Sequence, residues 1–301
     1  MFKKIVIPLD GSDNSEAVIP FAAEIASRTG GELVLVTAVQ QVGVWDATMS
    51  MQALDRENQV ATEYLETKRA EVANLGANVS TKLAQGDAAD AVLRTADEVG
   101  ADLLAMTTQG RSGIARWLFG SVASRLVGHA KIPVLVIRPK EGEDKGAPGP
   151  VVKKILVPLD GSEVALSILP VVEDFARTMG ASVVLFTAVA PLAAYPGFET
   201  AGAAAIGEVI ADLQKQAEET MAMVASEVKG RGIEASYVVA LDTAVDGTCR
   251  AADELGVDLI AIATHGRGGL GRVVLGSVAD GVIRRSADVP VLVVRPTDST
   301  D

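Results

Sequence analysis

The stretch that decides the fold is "KKIVIPLDGS", Lys3–Ser12. Its apolar run is short, has no polar alternation, and closes on an acid, a glycine and a serine. That pattern describes a strand buried on both faces that ends in a turn. The same ten residues return as "KKILVPLDGS", Lys153–Ser162, changed only by aliphatic exchanges. A chain that writes its first strand twice has to be read as a repeat before anything else.

Working outward, the repeat extends almost to both ends. "ELVLVTAV" (32–39) returns as "SVVLFTAV" (182–189), "ADEVGADLLAMTT" (96–108) as "ADELGVDLIAIAT" (252–264), and "IPVLVIRP" (132–139) as "VPVLVVRP" (289–296). The offset is 150 residues early and 156 later, which places a net insertion in the Ala/Gly/Pro-rich "APLAAYPGFETAGAAAIGE", 190–208. A period this long means duplicated domains rather than a solenoid. The expected organisation is a domain over residues 1–139, a linker over 140–150 ("KEGEDKGAPGP", charged and rich in Pro and Gly), and a second domain over 151–301.

Within the first copy, apolar runs alternate with amphipathic segments. "KIVIPL", "LVLVTAV", "STKLAQ", "DLLAMTT" and "PVLVIR" read as strands; 15–29, 51–75, 88–99 and 121–130 read as helices. Parallel neighbours need crossover connections, so the expected fold class is α/β: two tandem Rossmann-like domains, each a five-stranded parallel doubly wound sheet with helices on both faces. Pro20 and Pro170 fall inside the first helix of each copy, where an interior proline costs about 3 kcal/mol, so those helices begin later than the pattern alone suggests or bend there.

Bulk properties narrow the function. Across 301 residues, 49% are hydrophobic and 22% charged, which fits a folded protein with sizeable cores rather than a disordered one. Aromatics are only 4%, so the cores are aliphatic. A net charge of −12 disfavours nucleic acid as a partner, since it would repel phosphate backbones. The single cysteine, Cys249, allows no intrachain disulfide and reads as a core residue. "MFKKIVIPLDGS" has no signal-peptide pattern, and no apolar run approaches the ~18 residues of a membrane span, so no membrane partner and a cytoplasmic location are expected.

The chemistry concentrates in "TTQGRSGIARWLFGSV" (107–122) and its echo "ATHGRGGLGRVVLGSV" (263–278), each between a buried strand and a helix. Open parallel sheets bind ligands beyond the carboxyl ends of their strands, where the strand order reverses. If the first and fourth strands are neighbours, Asp10 and the loop from Thr107 share one rim, as do Asp160 and the loop from Ala263. Ser121 and Ser277 are placed as helix N-caps, with Asp280 completing a capping-box pattern behind Ser277. Free N–H groups at such a helix start, with Arg111 or Arg267 in the same loop, suit a phosphate chain. The glycines can equally be turn residues, and Asp10 and Asp160 turn or cap acids. "GRGGLG" (266–271) formally matches a dinucleotide fingerprint, but it follows the fourth strand, and the first copy breaks it. The absence of any Gly-Lys pair removes a Walker loop, and the two histidines, His129 and His265, have no repeated partner, so neither a metal site nor a catalytic triad is expected.

Together these motifs resemble the universal stress protein family, of the adenine-nucleotide alpha hydrolase-like superfamily, in its tandem two-domain form. The carriers are the two "PLDGS" turns, "GRSGIARWLFGSV" with "IPVLVIRP", and "GRGGLGRVVLGSV" with "VPVLVVRP". In the family's nucleotide-binding branch, ATP lies against a G-x2-G-x9-G-[ST] loop. The resemblance implies that Gly110 and Gly266 take its second glycine, Gly120 and Gly276 its third, and Ser121 and Ser277 its hydroxyl, with Arg111, Gly113 and Val122, and Arg267, Gly269 and Val278, beside them. It implies Pro8, Asp10 and Ala38, and Pro158, Asp160 and Ala188, beside the base and ribose. The first glycine of the pattern falls on Thr107 and Ala263; the smaller Ala263 and the extra glycines favour the second domain if only one binds. The implied function is an ATP-binding stress-response sensor or regulatory binder, with Mg2+ as the usual companion of the phosphates and at most slow hydrolysis, because no general base stands beside a nucleophile. The implied partners are an adenine nucleotide and the chain's own other domain, whose final strand would pair with its counterpart as a pseudo-dimer, with a homodimer of chains beyond that. A nucleotide-free scaffold of the same fold is the alternative. An adenylating enzyme ranks last, because its S-G-G-x-D-S loop is replaced by "DGSDNS" and "DGSEVA".

Overall fold

The computed structural model describes residues 1–40, 47–74, 76–109, 119–139, 149–191, 203–265, 275–286 and 288–296, without the side chains of 47–53 and 203–206. The chain divides into two compact units, Met1–Pro150 and Val151–Asp301.

The first unit runs β1 (Lys4–Pro8), α1 (Asp13–Glu16), α2 (Ile19–Thr29), β2 (Glu32–Val39), α3 (Ala47–Ala73), β3 (Asn78–Gln85), α4 (Ala88–Val99), β4 (Leu103–Thr107), α5 (Ser121–His129) and β5 (Val134–Ile137). All its strand pairs are parallel, in the order β3-β2-β1-β4-β5. The second unit repeats this with β6 (Lys154–Pro158), α6 (Glu163–Leu166), α7 (Leu169–Met179), β7 (Ser182–Val189), α8 (Ala203–Gly230), β8 (Ala235–Leu241), α9 (Ala244–Leu255), β9 (Leu259–Ala263), α10 (Ser277–Arg285) and β10 (Val291–Val294), in the order β8-β7-β6-β9-β10. In each unit the order reverses between the first and fourth strands, which are direct neighbours. Ile5, Val6 and Ile7 are all fully buried. Successive strand residues point to opposite faces, so both faces of this sheet are covered, and the same holds for Ile155, Leu156 and Val157.

Local chemistry explains the boundaries. Pro20 and Pro170 sit in the first turn of α2 and α7, where the absent N–H has no intrahelical partner to lose. The expected helix over 15–29 is therefore two, α1 and α2, with the break just before the proline. The long helix begins at Ala47 and ends at Ala73, rather than spanning 51–75. Each sheet is also fastened by an acid ahead of its fourth strand. Asp102 accepts the backbone N–H groups of Lys3 and Lys4 at 3.0 and 2.9 Å, and Asp258 those of Lys153 and Lys154 at 2.8 and 3.0 Å.

Candidate functional site

The rim of each domain is built the same way. After β1 the chain turns at Gly11, whose φ of 81° favours glycine, and Asp10 holds the turn: its Oδ1 accepts from Ser12 N–H at 3.0 Å and Ser12 Oγ at 2.6 Å. Ser12 Oγ in turn caps α1 by accepting from Ser15 N–H at 3.2 Å. The second domain repeats this through Gly161, Asp160, Ser162 and Ala165 N–H. The end of the second strand is tied to the same loop, with Thr37 Oγ1 donating to Leu9 O at 3.1 Å and Thr187 Oγ1 to Leu159 O at 2.8 Å.

The helix starts differ from the sequence reading. Gly120 and Gly276 are the N-caps of α5 and α10, Ser121 and Ser277 are the first helical residues, and neither helix has a side-chain cap. The reason lies one residue upstream. Gly120 N–H donates to Thr108 O at 3.0 Å and Gly276 N–H to Thr264 O at 2.7 Å, which draws each glycine against the end of the fourth strand. A Cβ on Gly276 would stand 2.9 Å from Thr264 O, and one on Gly120 3.3 Å from Thr108 O. These glycines therefore have a packing reason of their own. With the cap one residue earlier, Asp280 falls a turn inside α10 and pairs with Arg284 at 2.8 Å instead of completing a capping box.

In the first domain the rim encloses a cavity of about 850 Å3. Pro8, Asp10, Ala38, Thr107, Gly120, Ser121 and Val122 all line it, so these seven expected positions meet at one place. Gly110, Arg111 and Gly113 lie outside the described residues. In the second domain Pro158, Asp160, Ala188, Ala263, Gly276, Ser277 and Val278 occupy the matching strand ends and helix start, while Gly266, Arg267 and Gly269 lie outside the described residues.

Sequence reasoning missed the wall opposite the glycines. Arg56, Glu57, Val60, Ala61 and Tyr64 reach the cavity from α3, and Val92 from α4. Behind that wall Glu16 is only 6% exposed; its carboxylate accepts from Tyr64 Oη at 3.0 Å and from Lys68 Nζ at 3.1 Å. Burial, with the Glu16 charge added, pushes the Tyr64 hydroxyl well above the usual phenol range, so it stays a neutral donor. For Lys68, partial burial works against the ammonium, but hydrogen bonds to Glu71 and Glu16 outweigh it and raise its pKa. No spacing rule links position 16 to 64; the only signal was a glutamate among apolar residues. Thr108 also lines the cavity, and its buried Oγ1 has no hydrogen-bond partner among the described residues. Such an atom fits a ligand that brings its own acceptor.

The remaining polar residues read more plainly. His265 Nδ1 lies 3.0 Å from Thr264 Oγ1, and His129 Nδ1 lies 2.9 Å from Arg125 O. Cys249 is half-buried rather than fully in the core, and burial pushes its thiol up, away from the reactive thiolate. Among the described residues no group of three or more His, Cys, Asp or Glu is placed to hold a metal, and no helix is long and apolar enough to cross a membrane.

Comparison with known proteins agrees with this geometry. A sequence model of the universal stress protein family matches residues 1–138 and again 152–295. The universal stress protein Rv2005c of Mycobacterium tuberculosis is 27% identical over 302 residues, covering 97% of this chain and 96% of that one. Universal stress protein MJ0531 of Methanocaldococcus jannaschii is 33% identical over 151 residues, covering 48% of this chain and 86% of its own length. The crystal structure of a universal stress protein from Archaeoglobus fulgidus superposes with a TM-score of 0.72 over 98% of this chain and 99% of that chain, at 19% identity, a likeness of fold.

Proposed function

The chain belongs to the universal stress protein family, and from that premise we propose that it binds an adenine nucleotide, ATP, and acts as a stress-response sensor or regulatory binder rather than as a dedicated catalyst. The observation that carries this reading is the cavity of about 850 Å3 at the strand-order reversal, which lies in the size range of small-molecule sites. Asp10 stands there for sugar hydroxyls, Ala38 for an apolar ring, and the backbone at Gly120 and Ser121 for an anion. Mg2+, in this reading, comes with the phosphates and is held by them and by water. A cytoplasmic location, pairing of the terminal strands of the two domains and a homodimer of chains belong to the same proposal; sedimentation equilibrium showing only a 31.1 kDa species would remove the homodimer.

The scaffold reading retains one observation in its favour: the glycines and aspartates of the rim also have purely structural work, in the close approach to Thr108 and Thr264 and in the Asp10 and Asp160 turns. Calorimetric titration of the nucleotide-stripped protein with ATP and magnesium separates the two. Saturable binding that weakens at least about tenfold in Ala38→Phe supports the nucleotide reading. A flat titration of the wild type leaves the scaffold. A Gly276→Val variant is a poor probe, because any Cβ there meets Thr264 O whether or not a nucleotide binds.

A further inference from the structure

The two rims match in backbone and differ in the walls beside them. Thr108 Oγ1 is buried without a partner, whereas its counterpart Thr264 Oγ1 is engaged by His265. Val36 lines the first cavity; the corresponding residue of β7 is Phe186, only 1% exposed. The Phe186 ring reaches α9 at Gly247, where a Cβ would stand 3.0 Å from its Cζ, and the first domain has Ala91 at that position. The larger ring and the smaller helix residue are a matched pair. Arg56 lines the first cavity as an exposed cation with no ion pair among the described residues, and at the repeat's later offset its counterpart is Asp212. An unspent hydroxyl and an unpaired cation coincide in one domain; in the other the hydroxyl is engaged and the cation is replaced by an acid.

We propose that nucleotide binding is confined to the first domain, where Arg56 meets the ligand's anionic part and Thr108 supplies a hydroxyl donor, while the second domain offers an acid, Asp212, and an already bonded hydroxyl, Thr264, at the same places. This rests on the nucleotide reading above, and it reverses the preference for the second domain drawn from loop composition. A guanidinium suits phosphate oxygens because its planar fork can make two parallel hydrogen bonds. A buried donor left unpaired is costly, so a ligand acceptor at Thr108 adds affinity that Thr264, already bonded, cannot match.

The test is calorimetry of the full stripped chain with ATP and magnesium, for the wild type and two variants. The expected wild-type stoichiometry is one nucleotide per chain. Arg56→Asp, on an exposed position that does not threaten folding, weakens binding at least about tenfold and flattens its salt dependence. Thr108→Val weakens it about threefold to tenfold. Two nucleotides per chain overturn the assignment and leave the nucleotide reading standing. Undiminished affinity in Arg56→Asp removes Arg56 from the site. No binding to the wild type removes both readings together.

Discussion

In the first domain a carboxylate is buried beneath the cavity wall, with Tyr64 and Lys68 closing on Glu16 from α3. In the second, the same three positions hold Leu166, Thr220 and Val224. The second domain buries its own acid elsewhere: Glu173 on α7 is 6% exposed and is met by Arg231 at 2.6 Å, where the first domain has Ala23. The lesson is that a buried charge is gained or lost as a set. Removing one member leaves the others desolvated and short of a partner, whereas an uncharged set such as Leu166, Thr220 and Val224 has no buried charge to compensate.

The sharpest way to break this comparison is Glu16→Leu alone. It strands the Tyr64 hydroxyl and one side of the Lys68 ammonium, and should cost about 2–4 kcal/mol. Exchanging all three residues for their second-domain counterparts should bring the loss back to within about 1 kcal/mol. Hydrogen exchange of the β1 and β2 amides checks this domain by domain, and a triple variant no more protected than the single one refutes it.

Next in size is Phe186→Val. It opens a void over Gly247 and should destabilise the second domain by about 2–3 kcal/mol. Gly247→Ala added to it should cost less than Gly247→Ala alone, since its Cβ no longer meets the ring and only the 3.0 Å approach to Asp242 Cβ remains. Gly247→Ala in the presence of Phe186 should be destabilising, and thermal unfolding of the three variants gives the comparison.

Alanine at the two N-caps tests how tightly each helix is drawn to its strand. Gly276→Ala should cost about 1–3 kcal/mol, and Gly120→Ala less than about 1 kcal/mol, because the approach is 2.9 Å in one domain and 3.3 Å in the other. Equal losses would mean that the loops absorb the difference.

The smallest effect separates the caps of the third-strand helices. Asp87 caps α4 by accepting from Ala89 and Asp90 N–H, whereas Thr243 caps α9. The Asp90 N–H bond, with Arg125 nearby, holds the Asp87 carboxyl below the ordinary aspartate range. A depressed folded-state pKa contributes stability above the unfolded-state value and loses it as pH falls through the folded-state value. The start of α4 should therefore fray on acidification below the normal aspartate titration. The hydroxyl cap of α9 does not titrate, and the ratio of amide exchange at the two helix starts against pH reads the difference.

The duplication, the five strands of each domain and the rim residues were legible because each is local. Buried parallel strands read as apolar runs, and glycines, acids and prolines punctuate them. Misreadings were local as well. The serine after Gly120 looks like an N-cap by residue type, but the hydrogen bond from Gly120 to Thr108 O, formed across the loop, moves the helix start by one position. The wall was not legible at all. Glu16 is separated from Tyr64 and Lys68 by a helix and a strand, and nothing in that spacing says that they meet.

By itself the sequence determined that this is a tandem of parallel α/β domains with an acid turn after the first strand of each, because the period of apolar residues dictates which faces are buried. Only the tertiary structure decided that α3 closes over the first rim, that Thr108 is left without a partner while Thr264 is engaged, and that Phe186 lies against Gly247. Those are contacts between distant segments, and they depend on packing in three dimensions that no run of neighbouring residues encodes.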